Sequence, residues 1–226
     1  MQQRTIKSFV LRTGRVSNRQ QLALDEWLGD YLLPAPGEPW DLAKEFGRDA
    51  DTVVEIGFGM GASLLSMALA RPDLNFVGIE VHLAGIGSLV AELHEQGVTN
   101  VRVAPYDAVE VMKTCLADNV LTGIQIFFPD PWPKKRHQKR RLIQTDFVNQ
   151  LVKKINIGGF IHCATDWQAY AEHMLTVLSA IPSLRNQQAD GGFSPRPGAR
   201  PLTKFEQRGQ RLGHGVWDLV FEKTVF

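Results

Sequence analysis

Thr52-Val53-Val54-Glu55-Ile56-Gly57-Phe58-Gly59-Met60-Gly61 decides how the rest of the chain is read. Residues 52–57 have the β-branched, apolar character of a buried strand. Gly57, Gly59 and Gly61 then permit a sharp turn, and Ala62–Ala70 follows as a helix that stops before Pro72. The same strand-then-helix order recurs downstream. Residues 75–80 and 83–96 form a second pair, closed by Gly97 as a C-cap. Residues 100–106, with a helix from Asp107 through Met112, form a third. Residues 124–128 are a fourth strand. Helical spacing of Leu142, Ile143, Phe147, Val148, Leu151, Val152 and Ile155 then marks a helix over residues 140–155, stopped by Gly158-Gly159. Residues 160–164 and a helix from Asp166 to about Ala180 complete a fifth unit. Five such units in a row predict an α/β fold with a mostly parallel sheet and helices on both faces. Residues 184–188 and 214–223 read as two more strands. The last has no helix after it and is expected to pair antiparallel, as a hairpin with its predecessor.

Ahead of this core, residues 1–50 read as a separate portion. Arg4, Lys7, Arg12, Arg15 and Arg19 make a basic arm around Ser8-Phe9-Val10-Leu11, either disordered or ordering over RNA. Residues 20–32 look helical, with Leu22, Leu24, Trp27, Leu28 and Tyr31 on the apolar side, and Pro34, Pro36, Gly37 and Pro39 form a linker. Residues 51–226 are then the main domain. The formal net charge of +1 does not indicate nucleic acid, but the basic residues are clustered, and a local field is what a nucleic-acid site requires. Cys115 and Cys163 form neither a disulfide framework nor a zinc set, which suits a reducing cytosol. No stretch is apolar for the roughly 20 residues that span a bilayer, and residues 1–7 are not a signal peptide. The six histidines show no metal-ligand spacing. His162, inside a strand, is expected to be a hydrogen-bonded core residue.

The ligand is suggested by where the acids fall. Glu55, Glu80, Asp107 and Asp130 each lie near the C-terminal end of one of the first four strands, the edge at which open α/β sheets bind ligands. Gly57-x-Gly59-x-x-Ala62 loosely fits the dinucleotide fingerprint, with Glu80 near the distance of a ribose-binding acid, and either an adenosine-type ligand or a plain tight turn satisfies the glycines. Each acid alone reads equally well as a helix cap or a surface residue just after a strand. Together they suit a ligand carrying positive charge and hydroxyls and repel a pyrophosphate. S-adenosylmethionine, with a sulfonium, an ammonium, a diol and an adenine amine, fits better than NAD. An oxidoreductase would call for a Tyr-x-x-x-Lys or a sizeable substrate domain, and neither is present.

The fourth strand runs into Pro129-Asp130-Pro131-Trp132-Pro133, which cannot continue a central strand. Six Lys/Arg and one His follow in the eight residues 134–141. A carboxylate held between prolines therefore stands beside a dense positive cluster suited to gripping phosphates. Trp132 reads equally as a base-stacking platform or a loop anchor, and Trp217 and Phe221 alternate as core residues of the last strand.

Glu-x-Gly-x-Gly-x-Gly, Glu80, Asp107 and above all Pro129-Asp130-Pro131-Trp132-Pro133-Lys134-Lys135-Arg136-His137 resemble the bacterial tRNA (guanine-N7-)-methyltransferases. Thr203-Lys204-Phe205-Glu206 and Ser8-Phe9-Val10-Leu11-Arg12 with Gly14-Arg15 extend the likeness over nearly the whole chain. The resemblance implies a class I S-adenosylmethionine-dependent methyltransferase fold, Rossmann-like, with a seven-stranded sheet. It implies methylation of N7 of guanine 46 in the tRNA variable loop. The residues themselves lead to the expectation of a cytoplasmic protein without metal or membrane, and leave monomer and homodimer both open. By this match Glu55, Gly57, Gly59, Gly61, Glu80, Asp107 and Asp130 line the cofactor site, with Asp130 also catalytic. Lys134, Asp166, Thr203, Lys204, Phe205 and Glu206 contact the substrate, and Arg136, His137, Gln138, Lys139, Arg140 and Arg141 form the RNA-binding run, Gln138 with no assigned role.

Overall fold

The computed structural model describes residues 7–9, 14–198, 200–202, 206 and 215–224. Seven strands form one sheet: β1 (Thr52–Ile56), β2 (Asn75–Ile79), β3 (Val101–Ala104), β4 (Leu121–Phe127), β5 (Ile155–Thr165), β6 (Leu184–Asn186) and β7 (Trp217–Lys223). Their order across the sheet is β3-β2-β1-β4-β5-β7-β6. The first five run parallel, whereas β7 lies antiparallel to both neighbours, β5 and β6. The expected hairpin with β6 is therefore present, but β7 also inserts between β5 and β6.

The strands alternate sides. Val53, Phe58 and Phe76 pack with the Ala62–Ala70 and Leu83–Glu95 helices, while Val54, Ile56, Val77 and Ile79 pack with the Ala108–Thr114, Thr145–Lys154 and Gln168–Ser179 helices. Both faces are thus covered, as near-continuous apolar parallel strands require.

The N-terminal helix runs through Asn18–Leu22, a π-helical turn Ala23–Trp27 and Leu28–Tyr31. Ser17 and Gln20 close a capping box at its start. Ala23 and Tyr31 enter the core beside the Leu83–Glu95 helix, Trp27 stacks on His94 at 4.1 Å, and Arg19 bridges Glu92 and Glu95.

Two boundaries differ from the sequence reading. The helix expected over residues 140–155 is divided: Lys135–Arg140 is a 3-10 helix, and the α-helix is Thr145–Lys154. Leu142 and Ile143 lie in the connector and pack on the core without belonging to that helix. Gly158-Gly159 does not stop the helix. It lies inside β5, which begins at Ile155, with Gly158 at φ 80° where the register with β4 shifts. Among the described residues, no helix is long and apolar enough to cross a membrane, and no group of three or more His, Cys, Asp or Glu could hold a metal ion. Cys115 and Cys163 are buried free thiols, and burial, reinforced by Asp218, pushes the Cys163 thiol up to about 12.

Candidate active site

The C-terminal ends of β3, β2, β1 and β4 open into one cleft. Gly57, Glu80, Asp107 and Asp130 line it together with apolar Ile56, Ile79 and Phe127. The expectation that Glu80 and Asp130 share one rim is met.

The glycine turn shapes the floor of the cleft through close approach. Gly59 and Gly61 take φ values of 58° and 83°, in the left-handed region. A Cβ at Gly85 would lie 2.1 Å from the Gly59 carbonyl oxygen, so the Leu83–Glu95 helix presses directly on the turn. Glu80 pins the turn from the other side. Its Oε2 accepts from the Gly59 backbone N–H at 3.0 Å, and its Oε1 accepts from the N–H groups of Val81 and His82 and meets His82 Nδ1 at 2.8 Å. A carboxylate offers about four acceptor positions, so Oε2 retains one for a ligand hydroxyl.

Asp107 caps the Ala108–Thr114 helix, with Oδ1 accepting from Val109 N–H at 3.0 Å. It also lines the cleft, so the residue that caps the helix is at the same time part of the cleft wall. Glu55, grouped with these acids in the sequence, is placed differently. It lies within β1, is buried, and is outside the lining of the cleft, as are Gly59 and Gly61. Burial, aided by the charge of Glu80, pushes its carboxyl up to about 8, so it is protonated at neutral pH, and its Oε2 has no hydrogen-bond partner.

Asp130 sits exposed at the mouth, accepting no hydrogen bond from a described residue. The loop around it is held in uncommon backbone: Phe128 at φ 51° and Trp132 at φ 43°, both before a proline. Non-glycine residues rarely enter this region, and such conformations persist only where surrounding contacts enforce them. Phe128 N–H is held by the Ala164 carbonyl. Trp132 donates from Nε1 to the Ser8 carbonyl at 3.0 Å, and the Arg140 guanidinium lies 4.3 Å from its ring centroid. Trp132 is a loop anchor, with one ring face already covered.

The basic run is ordered by its three-residue period, which brings side chains i and i+3 onto one edge. His137 and Arg140 turn toward Trp132, while Arg136 and Lys139 are exposed, as are Lys134 and Lys135. Burial and the adjacent cations, Arg136 foremost, hold the His137 ring below its ordinary pKa. Arg141, expected on the RNA face, is 4% exposed. It donates from Nε to the Pro131 carbonyl at 2.9 Å and stacks over Tyr170, so it buttresses the proline loop from inside. Lys139, Arg140, Asp107, Ser8 and Leu142 line a second groove, and the last three of these also line the cleft at the strand ends. The two cavities therefore adjoin.

Of the expected substrate contacts, Lys134 is exposed beside the proline loop and Asp166 lies at the end of β5, in a shallow groove with Trp167, Glu172 and Trp217. Asp166 does not cap the next helix, whose start is Trp167. Thr203, Lys204 and Phe205 lie outside the described residues. Glu206 is buried and its two oxygens accept from Arg200 at 2.6 and 2.8 Å. His162, as expected, is a bonded core residue, with Nε2 2.7 Å from Asp218. Phe221 is buried, whereas Trp217 is half-buried against Phe193. The sequence reading missed Arg200 and the cleft-lining Tyr106 and His82. His82 was open to detection, two residues beyond Glu80. Arg200 lay hidden in a Pro/Gly/Arg-rich loop.

A parallel five-strand core, a reversed β7 and a ligand cleft at the C-terminal strand ends define an S-adenosylmethionine-dependent methyltransferase fold. Solved structures agree on the fold. The antibiotic-resistance methyltransferase Kmr superposes with a TM-score of 0.57 at 12% identity, over 87% of this chain and 99% of that one. The 16S rRNA methyltransferase KamB gives 0.57 at 13%, over 84% and 96%. A family profile described as "Putative methyltransferase" matches residues 49–219. A Legionella pneumophila (strain Corby) protein named tRNA (guanine-N(7)-)-methyltransferase is 67% identical over 98% of this chain and 99% of its own length. A Pseudomonas entomophila protein of the same name is 53% identical over 98% and 92%. The chain belongs to the tRNA (guanine-N(7)-)-methyltransferase family.

Proposed function

We infer that this protein transfers a methyl group from S-adenosylmethionine to N7 of a guanine in tRNA, at position 46 of the variable loop, forming 7-methylguanosine. The single observation that carries this reading is the adjacency of the two cavities: three carboxylates meet in the cleft, which borders a groove edged by cations.

The cleft fits the donor. Glu80 keeps one acceptor position for a ribose hydroxyl, Asp107 Oδ2 takes no part in the helix cap, and Ile56, Ile79 and Phe127 offer apolar walls to an adenine ring. When bound, S-adenosylmethionine supplies a methyl carbon on a sulfonium, and the N7 lone pair displaces the thioether as the C–S bond breaks. Guanine N7 carries no proton, so no side chain acts as a base. The chain's task is orientation and exclusion of water, which can supply several of the roughly 7–11 kcal/mol available from proximity. Asp130, on a stiff loop, accepts from the N1 and N2 hydrogens of the guanine and faces the positive charge that develops on the ring. Arg136, Lys139, Lys134 and Lys135 hold backbone phosphates. Residues 1–50 serve as an arm and helix attached to the catalytic domain, and the enzyme works in the cytoplasm with its tRNA.

Asp130→Asn is the direct test of the site. The expected outcome is a large loss of turnover with S-adenosylhomocysteine affinity retained by calorimetry. Full turnover with unchanged tRNA affinity would remove Asp130 from the mechanism. Tight binding of NAD in the same calorimetry, with none of S-adenosylhomocysteine, would favour an oxidoreductase.

A further inference from the structure

A buried ionic cluster lies behind the Asp130 loop. Arg200 is 1% exposed and makes four hydrogen bonds to two carboxylates. Nη1 and Nη2 reach Glu206 at 2.6 and 2.8 Å, and Nε and Nη2 reach Asp218 at 2.7 and 2.8 Å. Asp218, on β7, also meets His162 of β5 at 2.7 Å. The guanidinium lies 5.9 and 5.7 Å from the ring centroids of Phe127 and Phe128, the last residue of β4 and the first beyond it.

Glu206, the reversed strand β7 and the aromatic pair leading into Pro129-Asp130 therefore meet on one planar cation. Phe128 is the residue forced to φ 51°, and Asp130 follows two positions later. A strained residue keeps its conformation only if its neighbours leave no alternative. The Arg200 guanidinium supplies part of that enclosure, and its nitrogens hold Glu206 at the same time. We propose that Arg200 is a positioning residue for methyl transfer, tying Glu206 and Asp218 to the Phe127–Phe128 end of β4 so that Asp130 is presented at the cleft mouth. It touches neither cofactor nor guanine. The proposal rests on the functional reading above.

Lysine retains the charge but is a point donor. It cannot fork to two carboxylates while presenting a flat face to two rings. Arg200→Lys is therefore the informative substitution. In the full chain, with unmodified tRNA and S-adenosylmethionine both saturating, kcat should fall by about 10- to 100-fold, the scale of a misplacement of about 1 Å at the reacting centre. S-adenosylhomocysteine affinity should fall by clearly less than kcat does: Phe127 walls the cleft and will shift, but Glu80, Asp107 and Gly57 line it from outside the clamp. The folded fraction, fixed by S-adenosylhomocysteine titration, separates this loss from unfolding. Should the lysine variant not fold, Asp218→Asn weakens the Arg200 and His162 contacts of β7 while leaving the Arg200–Glu206 pair, and should show the same split. A folded, saturated variant turning over within about threefold of the parent overturns the proposal, as does a rate loss fully accounted for by weaker cofactor binding. If the parent itself fails to methylate tRNA, the functional reading fails instead.

Discussion

Glu55→Gln isolates one buried proton. The Glu55 carboxyl lies inside β1, and burial with the nearby Glu80 charge raises it from 4.5 to about 8. The sign follows from which state holds the proton. Between pH 4.5 and 8 the folded chain keeps it while the unfolded chain releases it, so stability is greatest below pH 4.5 and falls as pH rises through 8. The gap is about 3.5 pH units, and each is worth about 1.4 kcal/mol, giving ~5 kcal/mol lost across the whole window and ~3 kcal/mol by pH 7. Local relaxation makes these upper values. Glutamine has the same shape and carries no titrating proton, so the variant should lack this component. Urea unfolding at intervals from pH 5 to 8.5 reads it directly as the difference in slope between the two proteins. The parent should lose several kcal/mol more than Glu55→Gln over that range. Parallel curves would show that Glu55 ionises normally, and that it reaches solvent or a cation the buried geometry does not provide.

Further substitutions divide the basic run by what each side chain touches. Arg136→Ala with Lys139→Ala should weaken tRNA binding and lower the salt slope by about 0.7–0.9 per cation that contacts phosphate, read from binding titrations at several salt concentrations. Arg141→Ala should instead cost stability, on the order of 2–4 kcal/mol in urea unfolding, since it strips the Pro131 carbonyl and the Tyr170 face of a buried partner. An unaltered midpoint would return Arg141 to the RNA face. Gly85→Ala drives a Cβ into the Gly59 carbonyl and should displace the turn that Glu80 holds. Calorimetry should then show S-adenosylhomocysteine affinity down by about tenfold or more, and an unchanged affinity would mean that the turn plays no part in cofactor binding.

The sheet was legible because its signals are local. In most units an apolar run and an apolar helix stripe follow one another across a short connection, the first of them through a glycine turn, and two-residue alternation assigns both faces. The place of β7 was not legible. Its strand pattern announces pairing, but nothing local states that it lies between β5 and β6. The division of the 140–155 helix was hidden because Leu142 and Ile143 continue the apolar spacing even though their backbone is not helical. Within the site, Glu80, Asp107 and Asp130 stood out because their distance from each strand end is set by short loops. Glu55 lies one residue before the end of β1, and nothing in the local pattern states that its side chain is buried rather than lining the cleft. Arg200 pairs across 6 residues to Glu206 and 18 to Asp218, and a long-range ion pair leaves no periodic trace.

Methyl transfer to an unmodified tRNA transcript, followed by mapping of the methylated base, meets the central claim head-on. A single 7-methylguanosine at position 46 of the variable loop, formed only with S-adenosylmethionine present and suppressed in Asp130→Asn, is the predicted result. A methyl group on another base or atom, or none at all from folded protein that binds both ligands, would contradict it.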